Sequence, residues 1–136
     1  MKRILCVDDN EQNRYMLTTL LKRAGYDVIA ACTGEEAVAM AAAERPDLVL
    51  MDLTLPGIDG CEATRRIKVM PETSGIPVIA FSGHAEEDKG ALARAAGCVD
   101  YARKPIQIRV LLGKIQALLT TTEAPENASA DGVVSR

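Results

Sequence analysis

The sequence predicts an α/β fold of the doubly wound kind, a five-stranded parallel sheet with helices on both faces. Three observations carry that expectation. Five short apolar runs recur along the chain, segments with helical spacing fill the intervals, and the runs lack the polar alternation of a sheet with one wet face. Strand and helix therefore alternate five times, a pattern met by right-handed crossovers that lay helices on either side of one sheet.

Residues 4–7 (ILCV) are the first apolar run and meet Asp8 and Asp9 at once. Met16, Leu17, Leu20, Leu21 and Ala24 then keep helical spacing, with Gly25 as the stop. Residues 28–31 are the second run. Thr33 and Glu36 make a capping-box pattern for the second helix, which continues through Ala37, Val38, Met40 and Ala41 until Pro46. The third run is 48–51, and the third helix covers about 61–70, ended by the stretch from Pro71 to Pro77. After the fourth run, 78–81, a helix starts with Glu86, Glu87 and Asp88, charges favoured at that end of its dipole, and stops near Gly97. Residues 99–101 are a very short last strand, and Ile108, Leu111, Leu112, Ile115, Leu118 and Leu119 lie on one face of a fifth helix. With five strands and five helices the flavodoxin-like order 2-1-3-4-5 is expected, with its ligand site where the carboxyl ends of strands one and three meet. Residues 1–119 form the expected domain. From Thr120 to Arg136 apolar periodicity gives way to polar and small residues, which predicts a disordered tail with no output domain after the fifth helix.

At 136 residues the chain fits one domain, which buries roughly 70% of the surface its unfolded form exposes. Its 48% apolar and 26% charged content is that of a globular, soluble protein. The net charge is only −3, and no basic stripe stands out, so direct binding of nucleic acid is not expected. No run is long enough for a signal peptide or a membrane span, which predicts a cytoplasmic protein. Cys6, Cys32, Cys61 and Cys98 lack C-x-x-C spacing and each sits in or beside an apolar segment, so they read as small core residues rather than metal or redox groups.

In this fold, functional residues belong at strand carboxyl ends, and the chemistry-bearing residues fall there. Strand one ends in Asp8-Asp9, strand three in Asp52 and strand four in Ser82, while strand five runs into Lys104-Pro105. Three carboxylates converging at the switch point would repel one another without a cation. The ligands are hard oxygens with no Cys or His among them, which points to Mg²⁺, or Mn²⁺ in its place. Asp52 can ligate with one oxygen and attack a phosphoryl group with the other, giving an aspartyl phosphate. The charge on the transferring oxygens would be neutralised by the ion and the Lys104 ammonium, with the Ser82 hydroxyl as hydrogen-bond donor.

The segments ILCVDDN, DLVLMDLTLPGIDG, IAFSG and DYARKPI are similar to the four sequence blocks of response-regulator receiver domains. Residues 3 to about 119 resemble that family, in particular its single-domain, chemotaxis-regulator-like members. The resemblance implies metal binding by Asp8 and Asp9, with Asp8 acting directly or through water, and phosphorylation of Asp52. It implies a metal-ligating backbone carbonyl at Thr54, a switch hydroxyl at Ser82, a switch aromatic at Tyr101 and phosphate contact by Lys104. The Lys104-Pro105 bond is similar to one commonly cis in the family. The implied partners are a sensor histidine kinase or histidine phosphotransfer protein and a downstream protein target, with no membrane and a monomer or weak dimer. A shift of population is then expected, in which Ser82 moves toward the phosphoryl group, Tyr101 rotates into the space left, and the surface of helix four, strand five and helix five changes. Moving an equilibrium from about 1:99 to 99:1 needs about 5.5 kcal/mol, against roughly 0.5–1.5 for one neutral hydrogen bond, so Ser82 must act together with Lys104 and the ion.

Thr54 and His84 stand where, in receivers, residues flank the path of the water that hydrolyses the aspartyl phosphate, and they are expected to tune signal lifetime. Gly83 gives the switch loop backbone freedom. Val99 replaces a residue that is polar in many receivers. Other readings fit less well. A haloacid-dehalogenase-type phosphatase should carry a second Asp at the position of Thr54, and the chain is too short for its cap. In a flavodoxin, Asp8-Asp9 would repel the flavin phosphate. An interaction module that is never phosphorylated would not need every active-site position filled. The expected protein is therefore a phosphoacceptor rather than an enzyme, either standing alone or as the receiver fragment of a hybrid histidine kinase.

Overall fold

In the computed structural model, which describes residues 1–83 and 89–123, three strands are buried almost throughout: β1 (Arg3–Val7), β3 (Leu48–Asp52) and β4 (Val78–Ser82). They are the uninterrupted apolar runs, and they occupy the middle of the sheet. The helices between them are α1 (Glu11–Arg23), α2 (Gly34–Glu44) and α3 (Gly60–Val69), with β2 (Asp27–Ala31) after the first. The chain continues into α4 (Gly90–Ala96), β5 (Asp100–Arg103) and α5 (Ile108–Glu123). All strand pairs are parallel and the order is β2-β1-β3-β4-β5, as the alternation predicts. Residues 1–106 make one compact unit, and α5 belongs to a second, described by itself.

Side chains alternate across the sheet. Leu5, Val7, Val49, Met51, Val78 and Ala80 share one cluster with Ala37 and Ala41 of α2, Ala63 and Ile67 of α3, and Ala93 of α4. The intervening Ile4, Cys6, Leu48, Leu50, Ile79 and Phe81 are equally buried and face the other way, toward the side of α1 and its buried Leu17 and Leu21.

Local signals end the elements where the sequence marks them. Asn10, Thr33 and Asp59 accept the first free amides of α1, α2 and α3, from Asn13, Glu36 and Glu62. The reciprocal bond of the capping box is displaced by one residue, because the Glu36 carboxylate accepts from the Cys32 amide rather than from Thr33. α2 ends at Arg45, which takes the left-handed conformation of a C-cap (φ 48) and donates its amide to the Ala41 carbonyl, and Pro46 cannot continue the helix.

Several expectations need correction. The five strands are not all buried, since β2 and β5 have partly exposed residues: each has a partner on one side only. The last strand is Asp100–Arg103 rather than 99–101, and Val99 is exposed; pairing with β4, not apolar content, fixes the strand. Cys32 is exposed because it lies just past the edge strand, whereas Cys6 and Cys98 are buried and Cys61 partly so. Burial pushes the Cys6 thiol up to about 12, which makes it an inert core group. α5 carries Leu111, Ile115 and Leu119 as its buried stripe and extends to Glu123, past the expected domain end at 119. Glu86, Glu87 and Asp88 and residues 124–136, where the helix start and the disordered tail were expected, lie outside the described residues. Among the described residues no helix is long and apolar enough to cross a membrane.

Candidate functional site

Asp8, Asp9 and Asp52 arrive together because β1 and β3 are neighbours in register, with Val7 opposite Met51. One oxygen from each of the three carboxylates lies within 4.8 Å of the others. Asp8 and Asp52 are buried and Asp9 is exposed, so the cluster is a floor with one open side.

Asp8 is held at every polar atom. Its amide donates to the Ala31 carbonyl (3.2 Å) and its carbonyl accepts from the Arg14 guanidinium (2.8 Å). Its Oδ1 accepts from the Asn10 amide (2.9 Å) and its Oδ2 from Lys104 Nζ (3.3 Å). Asp52 divides its oxygens likewise. Oδ1 accepts from the Thr54 amide at 2.9 Å and Oδ2 faces Lys104 Nζ at 3.4 Å. Burial pushes the Asp52 carboxyl up to about 6, against the pull of the Thr54 amide and the Lys104 ammonium, with Asp8 adding repulsion.

Lys104 reaches the cluster from the far side of the sheet. Its amide extends the ladder by donating to the Ser82 carbonyl (2.8 Å), its bond to Pro105 is cis, and its ammonium passes 5.3 Å from the centre of the Phe81 ring. Gly60 closes the site from beneath. A Cβ at that position would overlap the Asp52 carbonyl oxygen and lie 2.7 Å from the Leu53 Cα, so only glycine lets α3 begin against the end of β3.

Ser82 and Tyr101 form a second centre. Their hydroxyls are 2.7 Å apart, and the Tyr101 oxygen also accepts from the Lys89 amide at 3.1 Å. Lys89 is the N-cap of α4 and supplies no side-chain cap of its own, so Tyr101 ties β4 to the start of that helix. The Tyr101 hydroxyl lies on Ser82 because β4 and β5 are paired there. The Thr54 side chain is exposed at the rim, and His84 lies outside the described residues.

The structure thus brings Asp8, Asp9, Asp52 and Lys104 into one cluster and joins Ser82 to Tyr101. Sequence reading missed Asn10, Arg14 and Gly60. The first two follow Asp9 within a turn and a half of helix, a proximity that could have flagged them. Two buried carboxylates that share one ammonium, with the exposed Asp9 carboxylate beside them, are hard oxygen donors that fit a small divalent cation.

Residues 4–116 match the family described as the response regulator receiver domain. The chain is 41% identical to protein PilH of Pseudomonas aeruginosa over 119 residues, which is 88% of this chain and 98% of that protein. It is 36% identical over 118 residues to the polar-differentiation response regulator DivK of Brucella anthropi, covering 87% of this chain and 96% of that one. Among solved structures it is similar to the receiver domain of sensor histidine kinase PA1611 from Pseudomonas aeruginosa, which has a magnesium ion coordinated in its active-site cleft. The TM-score is 0.80 at 33% identity, over 87% of this chain and 97% of that one.

Proposed function

The chain belongs to the response regulator receiver domain family, and on that premise we propose that it is a phosphoacceptor switch in which Asp52 takes a phosphoryl group from a sensor histidine kinase or a histidine phosphotransfer protein. The observation that carries the reading is the meeting of three carboxylates with one ammonium at the end of β3. Asp8, Asp9, Asp52 and the Thr54 carbonyl would hold Mg²⁺, or Mn²⁺ in its place. The ion supplies positive charge to the transferring oxygens when bound.

This chain's own groups do the rest. The Thr54 amide and Lys104 orient the Asp52 carboxylate, so its attacking oxygen needs little reorganisation. Once phosphorylated, Asp52 carries more negative charge, and Lys104 shifts from carboxylate to phosphoryl oxygen. Ser82 turns its hydroxyl to a second oxygen and gives up Tyr101. Tyr101 keeps its bond to the Lys89 amide, so the change reaches α4 and the face it shares with β5. Thr54 and His84 tune the rate at which water removes the phosphoryl group. A downstream protein reads the changed face, and the protein works in the cytoplasm as a monomer or weak dimer.

The likeness to the receiver of a sensor histidine kinase favours a second reading, in which the chain is the receiver portion of a hybrid kinase with the same chemistry at Asp52. Incubation with Mg²⁺ and acetyl phosphate, followed by weighing the intact chain, tests both. The expected gain is one phosphoryl group, absent in Asp52→Asn; no gain in the wild type would overturn the proposal.

A further inference from the structure

Arg14 lies in the opening turn of α1, where a positive charge opposes the helix dipole. Nothing in the helix itself favours a cation there. The side chain reaches back toward the helix N-terminus, the direction in which helical side chains lean, and its Nη1 donates to the Asp8 carbonyl at 2.8 Å. On its other side it is within electrostatic reach of Glu36 at the start of α2, whose carboxyl is held below its usual range by the Cys32 amide and thiol and then by the Arg14 charge.

The carbonyl that Arg14 holds belongs to the peptide joining the two neighbouring acids of the cluster. On either side the turn is tied down: the Asp8 amide donates to the Ala31 carbonyl, the Asn10 amide donates to Asp8 Oδ1, and Asn10 caps α1. Asp9 stands between them, exposed, with a carboxylate oxygen within 4.8 Å of those of Asp8 and Asp52. The plane of the Asp8-Asp9 peptide sets the direction in which the Asp9 side chain leaves the backbone, and the planar guanidinium holds that plane by its carbonyl.

We propose that Arg14 is a positioning residue for the ion: by anchoring the Asp8-Asp9 peptide it keeps the two carboxylates at the spacing of a small cation, and so selects Mg²⁺ over Ca²⁺. The inference rests on the cluster taking a divalent ion. Mg²⁺ demands near-ideal octahedral geometry at about 2.0–2.1 Å, whereas Ca²⁺ accepts irregular sites at about 2.3–2.6 Å, so loosening one ligand penalises the smaller ion more. Arg14 does not ligate, and its charge alone would repel both ions alike. Anchoring and repulsion therefore act with opposite signs.

Calorimetric titration of wild type and Arg14→Met with Mg²⁺ and with Ca²⁺ separates the two effects. Loss of the anchor should weaken Mg²⁺ binding about tenfold, as removing a group that orients a metal ligand does, and Ca²⁺ binding by less than about threefold. A preference for Mg²⁺ that stays unchanged or grows in the variant overturns the role of Arg14, whichever way the two affinities move. Binding of neither ion by the wild type instead removes the metal reading beneath it. A second measurement needs no variant. In metal-free wild-type protein the anchored Arg14 guanidinium should give separate NMR signals for its two Nη groups at a temperature where the exposed Arg23 gives one averaged signal; an averaged Arg14 signal there also overturns the proposal.

Discussion

Asp52 combines near-complete burial with a charge, and its folded-state pKa of about 6 lies above the ordinary 3.8 because burial disfavours the ionised form. Below about pH 4 the carboxyl is protonated in folded and unfolded chains alike. As pH rises toward 6 the unfolded chain releases its proton first, so the folded chain loses stability, and the full loss is present above about pH 6. A shift of about two units corresponds to on the order of 3 kcal/mol. In metal-free buffer Asp52→Asn should therefore gain stability over wild type between pH 4 and 7 in urea titrations; a constant difference across that range contradicts the assignment. Lys104 answers the same charge. Lys104→Ala should weaken the link between phosphorylation and output by about 2 kcal/mol, the worth of a charge-assisted contact. NMR spectra that keep the full phosphorylation-linked shift in the variant would defeat that expectation.

At the scale of elements, the site depends on how closely α3 begins against β3. Gly60→Ala places a methyl on backbone that cannot yield cheaply, and overpacking of this kind costs about 1–3 kcal/mol. Its Mg²⁺ affinity should fall as well, since the contact is with the Asp52 carbonyl. Gly113→Ala is the control: nothing lies within 4 Å of the Cβ added at this exposed position of α5, and relief of glycine's helix penalty should stabilise by roughly 0.5–1 kcal/mol. Calorimetric titration of Mg²⁺ with both variants separates position from general stability. The start of α4 has a different dependence, because the Lys89 amide donates to the Tyr101 hydroxyl. In Tyr101→Phe, hydrogen exchange at the Lys89 amide should speed up about tenfold while α1 is unchanged; equal protection in both proteins would show that the bond contributes nothing.

For the whole molecule, ion binding and folding are linked, since the three carboxylates converge only when β1 and β3 are paired. Mg²⁺ at about a hundred times its dissociation constant should add about 2.7 kcal/mol, or roughly 10 °C in Tm for a domain near this size. The gain should disappear with EDTA and shrink in Asp9→Ala, whose exposed carboxylate does little for the fold itself. Thermal unfolding with and without the ion reads this directly. An unchanged Tm in the wild type would show that the cluster does not take the ion.

The order of elements, the central strands and the strand-end carboxylates were legible in the sequence, because a strand covered on both faces must be apolar and its active end must turn polar. The ends of β2 and β5 were less legible, since an edge strand is half wet and its composition blurs into the adjoining loops. The sequence also supplied Asp8, Asp9, Asp52 and Lys104 as candidates. What only the tertiary structure decided is which groups share partners. The Lys104 ammonium stands between Asp8 and Asp52, Tyr101 already holds Ser82, and Gly60 touches backbone eight residues earlier in the chain. Such pairings depend on distances set by strand register and helix packing, and periodicity along a chain carries the direction of a side chain but not the identity of the group it meets.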